Sequence, residues 1–275
     1  MTVLKRSGLV AIVVILAIQS DGRPDDEQER AAKFEQVIKT MQAFAIKPAD
    51  SEGGDLKLVM PPVLRYSDSV QTAIFPKIPD GAVFVFTHDG MPGAVTAMHL
   101  GTSGRIWAEF LALSTKPLVV TRGETLFWKS TETAANFQPL RDVQQPSRTA
   151  IFRLSQMRGI LKSFSASITD QSSGRQELRL LPQPVFRYSQ PAKGIVDGAI
   201  FVFARTTNPE VLLALEARRE NDKDVWVYSP LRFTGRQSDI CYQGSSVWTH
   251  GSSTGNRADT TSFYQTLIEP EPMSK

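Results

Sequence analysis

A single cysteine, Cys241, in 275 residues rules out an intrachain disulfide even in an oxidising compartment. Histidine is almost as scarce. The three present, His88, His99 and His250, have no cluster of acidic or thiol neighbours at ligand spacing, which argues against a zinc site and against metal catalysis. Dense Lys/Arg runs are also missing, so a sequence pI of 9.0 does not carry a nucleic-acid reading. Beyond residue 18 no apolar stretch is long enough for a bilayer-spanning helix. No phosphate-cradling or prosthetic-group motif stands out, and no cofactor is expected.

The one apolar run is N-terminal. Lys5-Arg6 precede Gly8 to Ile18, and polarity returns at Gln19-Ser20-Asp21-Gly22. A basic start, a short apolar core and a polar exit predict a signal peptide over residues 1–22, hence a periplasmic or extracellular protein. The alternative is an uncleaved N-terminal segment that holds the chain at the membrane. Removing residues 1–22 takes away Lys5, Arg6 and Asp21, so 31 basic and 28 acidic residues become 29 and 27, a mature net charge near +2.

What the chain does contain, it contains twice. Leu56-Lys57-Leu58 through Arg65-Tyr66-Ser67 returns as Leu178-Arg179-Leu180 through Arg187-Tyr188-Ser189, and Asp80-Gly81-Ala82-Val83-Phe84-Val85-Phe86 returns as Asp197-Gly198-Ala199-Ile200-Phe201-Val202-Phe203. The offsets, 122 and 117 residues, fit a duplicated domain and not a short solenoid repeat. The expected division is a first α+β copy over 23–140, a second over 141–268 and an extended tail over 269–275.

Each copy is predicted to open with a helix. Phe34, Val37, Ile38, Met41 and Phe44 recur at helical spacing, as do Ile151, Leu154, Met157, Leu161 and Phe164. An antiparallel meander of about five strands should follow. Leu56–Met60 and Leu178–Leu181 end in prolines and read as edge strands. Val83–Phe86 and Ile200–Phe203 are continuous apolar runs, the mark of strands covered on both faces. The copy's own helix supplies one cover and the sister copy is the economical second. Val95–Leu100 and Val211–Arg218 continue the meander, and the two copies are expected to pack about a pseudo-twofold axis.

The duplication screens candidates for chemistry. His88, His99 and His250 fall on Arg205, Glu216 and Lys129, so no histidine is repeated; His99 and Glu216 lie opposite Met98 and Leu215, on a face expected to meet solvent. Gly251-Ser252-Ser253-Thr254-Gly255 matches G-x-S-x-G, but no histidine follows it and a Gly/Ser-rich loop explains it. Cys241 falls on Val120 and reads as a small buried hydrophobe. No catalytic residue emerges. Two pairs do repeat. Arg65 with Asp80 and Arg187 with Asp197 could form an ion pair within each copy, or Asp80 and Asp197 could meet across the axis as paired carboxylates. Trp107 with Trp226, and Phe127 with Trp248, occupy matching positions, suited to a core or to stacking on a ligand.

The second block, Glu177 to Tyr188, with Asp197–Phe203 and Asn208–Arg218, resembles a family of uncharacterised exported proteins of planctomycete bacteria, most clearly over residues 146–268. The first copy departs from it at Met60-Pro61-Pro62. The resemblance implies bacterial export and supports the domain division, and it assigns no reaction. The expectation is an exported, non-enzymatic binding or structural protein. Its ligand surface would include Trp107, Trp226, Trp248, Arg65, Arg187, Asp80 and Asp197, and its partner would be a small molecule, a glycan or an envelope protein. The alternatives are a hydrolase with a dispersed site between the copies, and a cell-wall binder using exposed tryptophans.

Overall fold

The computed structural model describes residues 24–50, 54–68, 78–101, 106–170, 173–252 and 264–268. The expected signal peptide and the tail lie outside these residues. The architecture is α+β: two helices and mostly antiparallel sheet. The first half runs α1 (Pro24–Gln42), β1 (Phe44–Pro48), β2 (Lys57–Leu58), β3 (Leu64–Asp68), β4 (Ile78–His88), β5 (Met91–Leu100), β6 (Ile106–Ala112), β7 (Leu118–Arg122), β8 (Thr125–Lys129) and β9 (Gln138–Pro139). The second runs α2 (Ala150–Leu161), β10 (Phe164–Asp170), β11 (Gly174–Glu177), β12 (Arg179–Leu180), β13 (Phe186–Gln190), β14 (Ile195–Arg205), β15 (Asn208–Glu220), β16 (Lys223–Arg232), β17 (Gln237–Tyr242), β18 (Ser245–His250) and β19 (Tyr264–Ile268).

Two large sheets, in the orders β2-β4-β5-β6-β19 and β12-β14-β15-β16-β9, lie face to face. Two small ones, β1-β7-β8 and β11-β10-β17-β18, sit with the helices over the outer faces. Alternation along the apolar runs explains the layering. In β4, Val83 and Val85 point to the inner core while Ala82, Phe84 and Phe86 join α1, β1, β7 and β8 outside. In β14, Ile200, Val202 and Ala204 point inward while Ala199, Phe201 and Phe203 pack beneath α2. Each run is thus covered on both faces, as its unbroken apolar character demands. The two-residue strands β2 and β12 lie at sheet edges, beside Pro61-Pro62 and Pro182 respectively.

Several details differ from the sequence expectation. The helices stop at Gln42 and Leu161, so Phe44 and Phe164 begin strands β1 and β10 instead of closing a helical stripe. Both rings remain buried, which is why a spacing of three residues from Met41 and Leu161 imitated a further helical turn. Ile151 does not join the stripe; it is 75% exposed beside Phe152 at 63%. There is no single five-stranded meander, because after β6 and β16 the chain leaves the large sheet for the small one. Two strands also change sides. β9 leaves the first half to pair with β16, and β19 leaves the second half to pair with β6.

Candidate functional site

Each large sheet begins with an Asp-Gly on its second strand, and the glycine makes room for a tyrosine ring. Tyr66 lies opposite Gly81 and Tyr188 opposite Gly198 in the strand register. A Cβ on Gly81 would stand 2.5 Å from Cζ of Tyr66, and one on Gly198 would overlap the Tyr188 ring in the same way. The preceding arginines turn back to the preceding aspartates. Arg65 Nε donates to Asp80 Oδ1 at 2.7 Å, and its Nη2 donates to the other carboxylate oxygen. Arg187 Nη2 donates to Asp197 Oδ2 at 2.6 Å, and the same oxygen accepts from Arg153 Nε at 2.9 Å. Asp80 and Asp197 are therefore each engaged by arginines of their own half. Hydrogen bonding to Asp80 raises the Arg65 pKa. On the outer side Arg65 lies 4.2 Å over the Phe34 ring.

The tyrosine hydroxyls reach inward to His99 and Glu216, which sit opposite Gly81 and Gly198 on β5 and β15. That face is the space between the sheets and not solvent: Glu216 is 2% exposed, because the second sheet covers what would be the wet face of an isolated one. Tyr188 Oη donates to Glu216 Oε1 at 2.7 Å, and Arg218 Nε donates to Oε2 at 2.5 Å. In the first half Tyr66 Oη stands 3.4 Å from His99 Nδ1, and the imidazole stacks on Trp107 with centroids 6.0 Å apart. Burial pushes His99 down to about 4, leaving a neutral imidazole at pH 7. Burial also raises both tyrosine hydroxyls well above the ordinary range, with the charges of Glu109, Glu210, Asp68 and Asp80 adding to the effect on Tyr66 and Glu216 adding to that on Tyr188.

A second cluster joins the halves. Arg205, at the end of β14, donates from Nη2 to Asp68 Oδ2 at 2.6 Å, at the end of β3. Its Nε lies 3.4 Å from Glu210 Oε1. Arg236 Nη1 donates to both Glu210 oxygens at 3.2 and 3.1 Å, and its Nε donates to Asp170 Oδ2 at 3.0 Å. Beside them, the Ser67 backbone N–H donates to Thr207 Oγ1 at 2.8 Å, and the Thr207 hydroxyl donates to the Ser67 carbonyl at 2.6 Å. Asp68, Arg205 and Glu210 are 2%, 8% and 1% exposed. Burial raises the Glu210 pKa despite Arg236 and Arg205. At the corresponding register positions the other half has Gln190, His88 and Gly93, so a filter for residues common to both halves discards them. The available signal was Glu210 itself, a lone charge between Pro209 and Val211-Leu212-Leu213.

The tryptophans do not form one platform. Trp226 is 1% exposed in the outer core, with Nε1 donating to the Gln144 carbonyl at 3.0 Å. Trp107 pairs with His99 and Trp226 with Ala217, neighbour of Glu216, so the two indoles occupy opposite faces of their sheets instead of matching positions. Trp248 pairs with Ile240 as Trp128 does with Val120; the match is with Trp128, not Phe127. The two hairpins match at a constant offset of 120 residues, Ile240 on Val120 and Trp248 on Trp128, and each carries its bulge at the same place. That offset puts Cys241, half-buried, at the position of Thr121 instead of the buried Val120. Trp248 and Trp107 are half-buried, and Trp128 is 1% exposed. Of the G-x-S-x-G loop only Gly251 and Ser252 lie within the described residues.

Among the described residues no group of three His, Cys, Asp or Glu side chains could hold a metal ion, and no helix is long and apolar enough to cross a membrane. The paired clamps fix strand ends to one another. They bring together no nucleophile with a neighbouring base. No family model matches the chain, nor does any curated protein or solved structure.

Proposed function

We propose that the chain is an exported, non-enzymatic binding or structural protein of the bacterial envelope, built from two homologous α+β copies about a pseudo-twofold axis. The observation that carries this reading is the junction between the halves. A ligand-binding or catalytic cleft would need open polar walls there. Instead Val83, Val85, Val95 and Leu111 interdigitate with Ile200, Val202, Leu212 and Leu231 in a buried apolar core. The duplicated charges support the same conclusion, because each is bonded within its own half. The pairings β4-β5-β6 and β14-β15-β16, and the reciprocal packing of β3 on β15 and β13 on β5, support the twofold relation. The resemblance to exported planctomycete proteins and the N-terminal pattern support export.

The test is a thermal-shift screen of the chain against sugars, cell-wall fragments and small metabolites, run beside chromogenic ester, phosphate and glycoside substrates. A ligand at a hundred times its Kd stabilises by about 2.7 kcal/mol. The expected result is a shift without turnover, or no response where the role is structural. Turnover that disappears in D80N or D197N chains overturns the reading in favour of the hydrolase.

A narrower reading, glycan binding, is favoured by the half-buried state of Trp248, since an indole must offer part of a ring face to stack on a sugar. A glycan-induced shift that is lost in W248A supports it.

A further inference from the structure

The two helices bury alike and expose very differently. Val37 and Met41 of α1 are buried in one outer core, and Met157 and Leu161 of α2 are buried at the corresponding places in the other. At the same spacing the outward positions of α1 are Ala31, Ala32, Glu35, Lys39 and Gln42, an ordinary polar helix surface. On α2 and its C-cap they are Ile151, Phe152, Ser155, Gly159 and Lys162, and all five are exposed. Ile151 and Phe152 are the two most exposed large apolar side chains among the described residues, and they are neighbours. Helix formation does not call for them, since the alanines of α1 are better helix formers than isoleucine or phenylalanine. Single apolar residues are ordinary on a surface, whereas contiguous ones rimmed by polar residues mark a contact site.

Charge decides what this face can meet. From Val143 to Thr169 the sequence holds no Asp or Glu, against Arg148, Arg153, Arg158 and Lys162. Arg153 turns inward to Asp197. Arg148 and Lys162 are exposed at the two ends of the outward strip, and on its flank Arg158 Nη2 donates to the neutral Gln183. A second copy of the chain laid on this face would set cations against cations. A specific protein partner needs about 800 Å² of matching surface. Beyond the apolar pair the strip offers only Ser155 and Gly159, where an added Cβ would meet nothing within 4 Å. A bilayer asks for no shape match: it takes projecting apolar side chains into the headgroup layer and draws cations to anionic headgroups. We propose that the outward face of α2 docks on an anionic lipid surface, with Ile151 and Phe152 entering the headgroup layer and Arg148 and Lys162 against its phosphates. Two apolar side chains and a few cations make a weak, reversible contact that salt screens. The inference goes beyond the envelope reading and requires neither export nor the twofold relation.

The readout must be local to α2, because the apolar run over residues 8–18 could carry the full chain to vesicles by itself. The full chain is used in a C241S background, which removes the one native thiol. S155C on α2 and, separately, E35C at the corresponding exposed place on α1 are labelled with the environment-sensitive dye nitrobenzoxadiazole. Vesicles of mixed phosphatidylglycerol and phosphatidylcholine should raise the S155C emission at least about twofold at low salt and leave E35C unchanged, while pure phosphatidylcholine should move neither. I151S/F152S and, separately, R148Q/K162Q should each raise the anionic lipid concentration needed at least about tenfold. These side chains are exposed, so the circular dichroism should stay native. An absent response at S155C, an equal response at E35C, or an equal response to neutral vesicles overturns the proposal. So does a response to soluble polyglutamate that exceeds the response to vesicles, which would assign the face to an acidic protein.

Discussion

A methyl group added at Gly198 has nowhere to go, because the Tyr188 ring that covers it is 4% exposed and anchored by its hydrogen bond to Glu216. G198A should cost about 1–3 kcal/mol, the usual range for overpacking a close-packed interior. G81A should follow it, since Tyr66 is held as tightly against Gly81. Denaturant melts read both, and a neutral result at either position would show that the rings can move aside. The two aspartates beside these glycines should differ. D197N strands Arg153, 7% exposed, and Arg187 together, and removing one member of such a buried set costs about 3–5 kcal/mol. D80N strands Arg65, whose side chain is 38% exposed and reachable by water, so its cost should be the smaller of the two in the same measurement. His99 gives a pH signature. Its folded pKa of about 4 lies below the ordinary 6.5, so between those values the unfolded chain binds more protons and stability falls as pH falls. Burial of the imidazole between the sheets, beside Tyr66 Oη and the Trp107 ring, is what keeps it neutral. H99Q should flatten the stability profile between pH 6.5 and 4, as read from melts at a series of pH values.

The Asp68–Arg205 clasp belongs to the scale of elements, since it ties the end of β3 in one half to the end of β14 in the other. R205M takes the guanidinium away from both Asp68 and Glu210, the latter keeping Arg236 and Asn208, and should destabilise by about 3–5 kcal/mol. A D68N/R205M cycle should show strong coupling, whereas additive effects would show that the two side chains act separately. This clasp also marks where reading the sequence stops. Val83–Phe86 and Ile200–Phe203 announce doubly covered strands because no polar residue interrupts them, and the Arg65–Asp80 and Arg187–Asp197 pairs stand out because both halves repeat them. Comparing repeats hides whatever only one half possesses, and Asp68, Arg205 and Glu210 are of that kind. Strand registers were hidden for another reason. The offset between the halves changes from 117 residues at His99 and Glu216 to 120 at Trp128 and Trp248, and composition does not show where the three residues enter, although an error of one place reverses a side chain's face. β9 was illegible because Gln138-Pro139 looks like a loop, and its partner, Val227-Tyr228, lies far along the chain.

At the scale of the molecule, the exchanged strands and the shared inner core decide whether the halves are independent. Half of the inner core comes from each side, with Val83, Val85, Val95 and Leu111 meeting Ile200, Val202, Leu212 and Leu231. Separation would expose all of these side chains, at about 1.5–3 kcal/mol for each one transferred to water. It would also strip β16 of β9 and β6 of β19, leaving open sheet edges on both fragments. Neither half therefore retains a stable sheet and a covered core by itself. The intact chain should melt in one transition with calorimetric and van't Hoff enthalpies equal, although its length would accommodate two domains that melt apart. Fragments cut between β9 and α2, within residues 141–149, should be poorly ordered separately and should recover the native circular dichroism when mixed, each supplying the strand and the apolar face that the other lacks. Two resolved transitions in the intact chain, or one fragment that folds cooperatively without its partner, would mean that the inner core is a docking surface between finished domains.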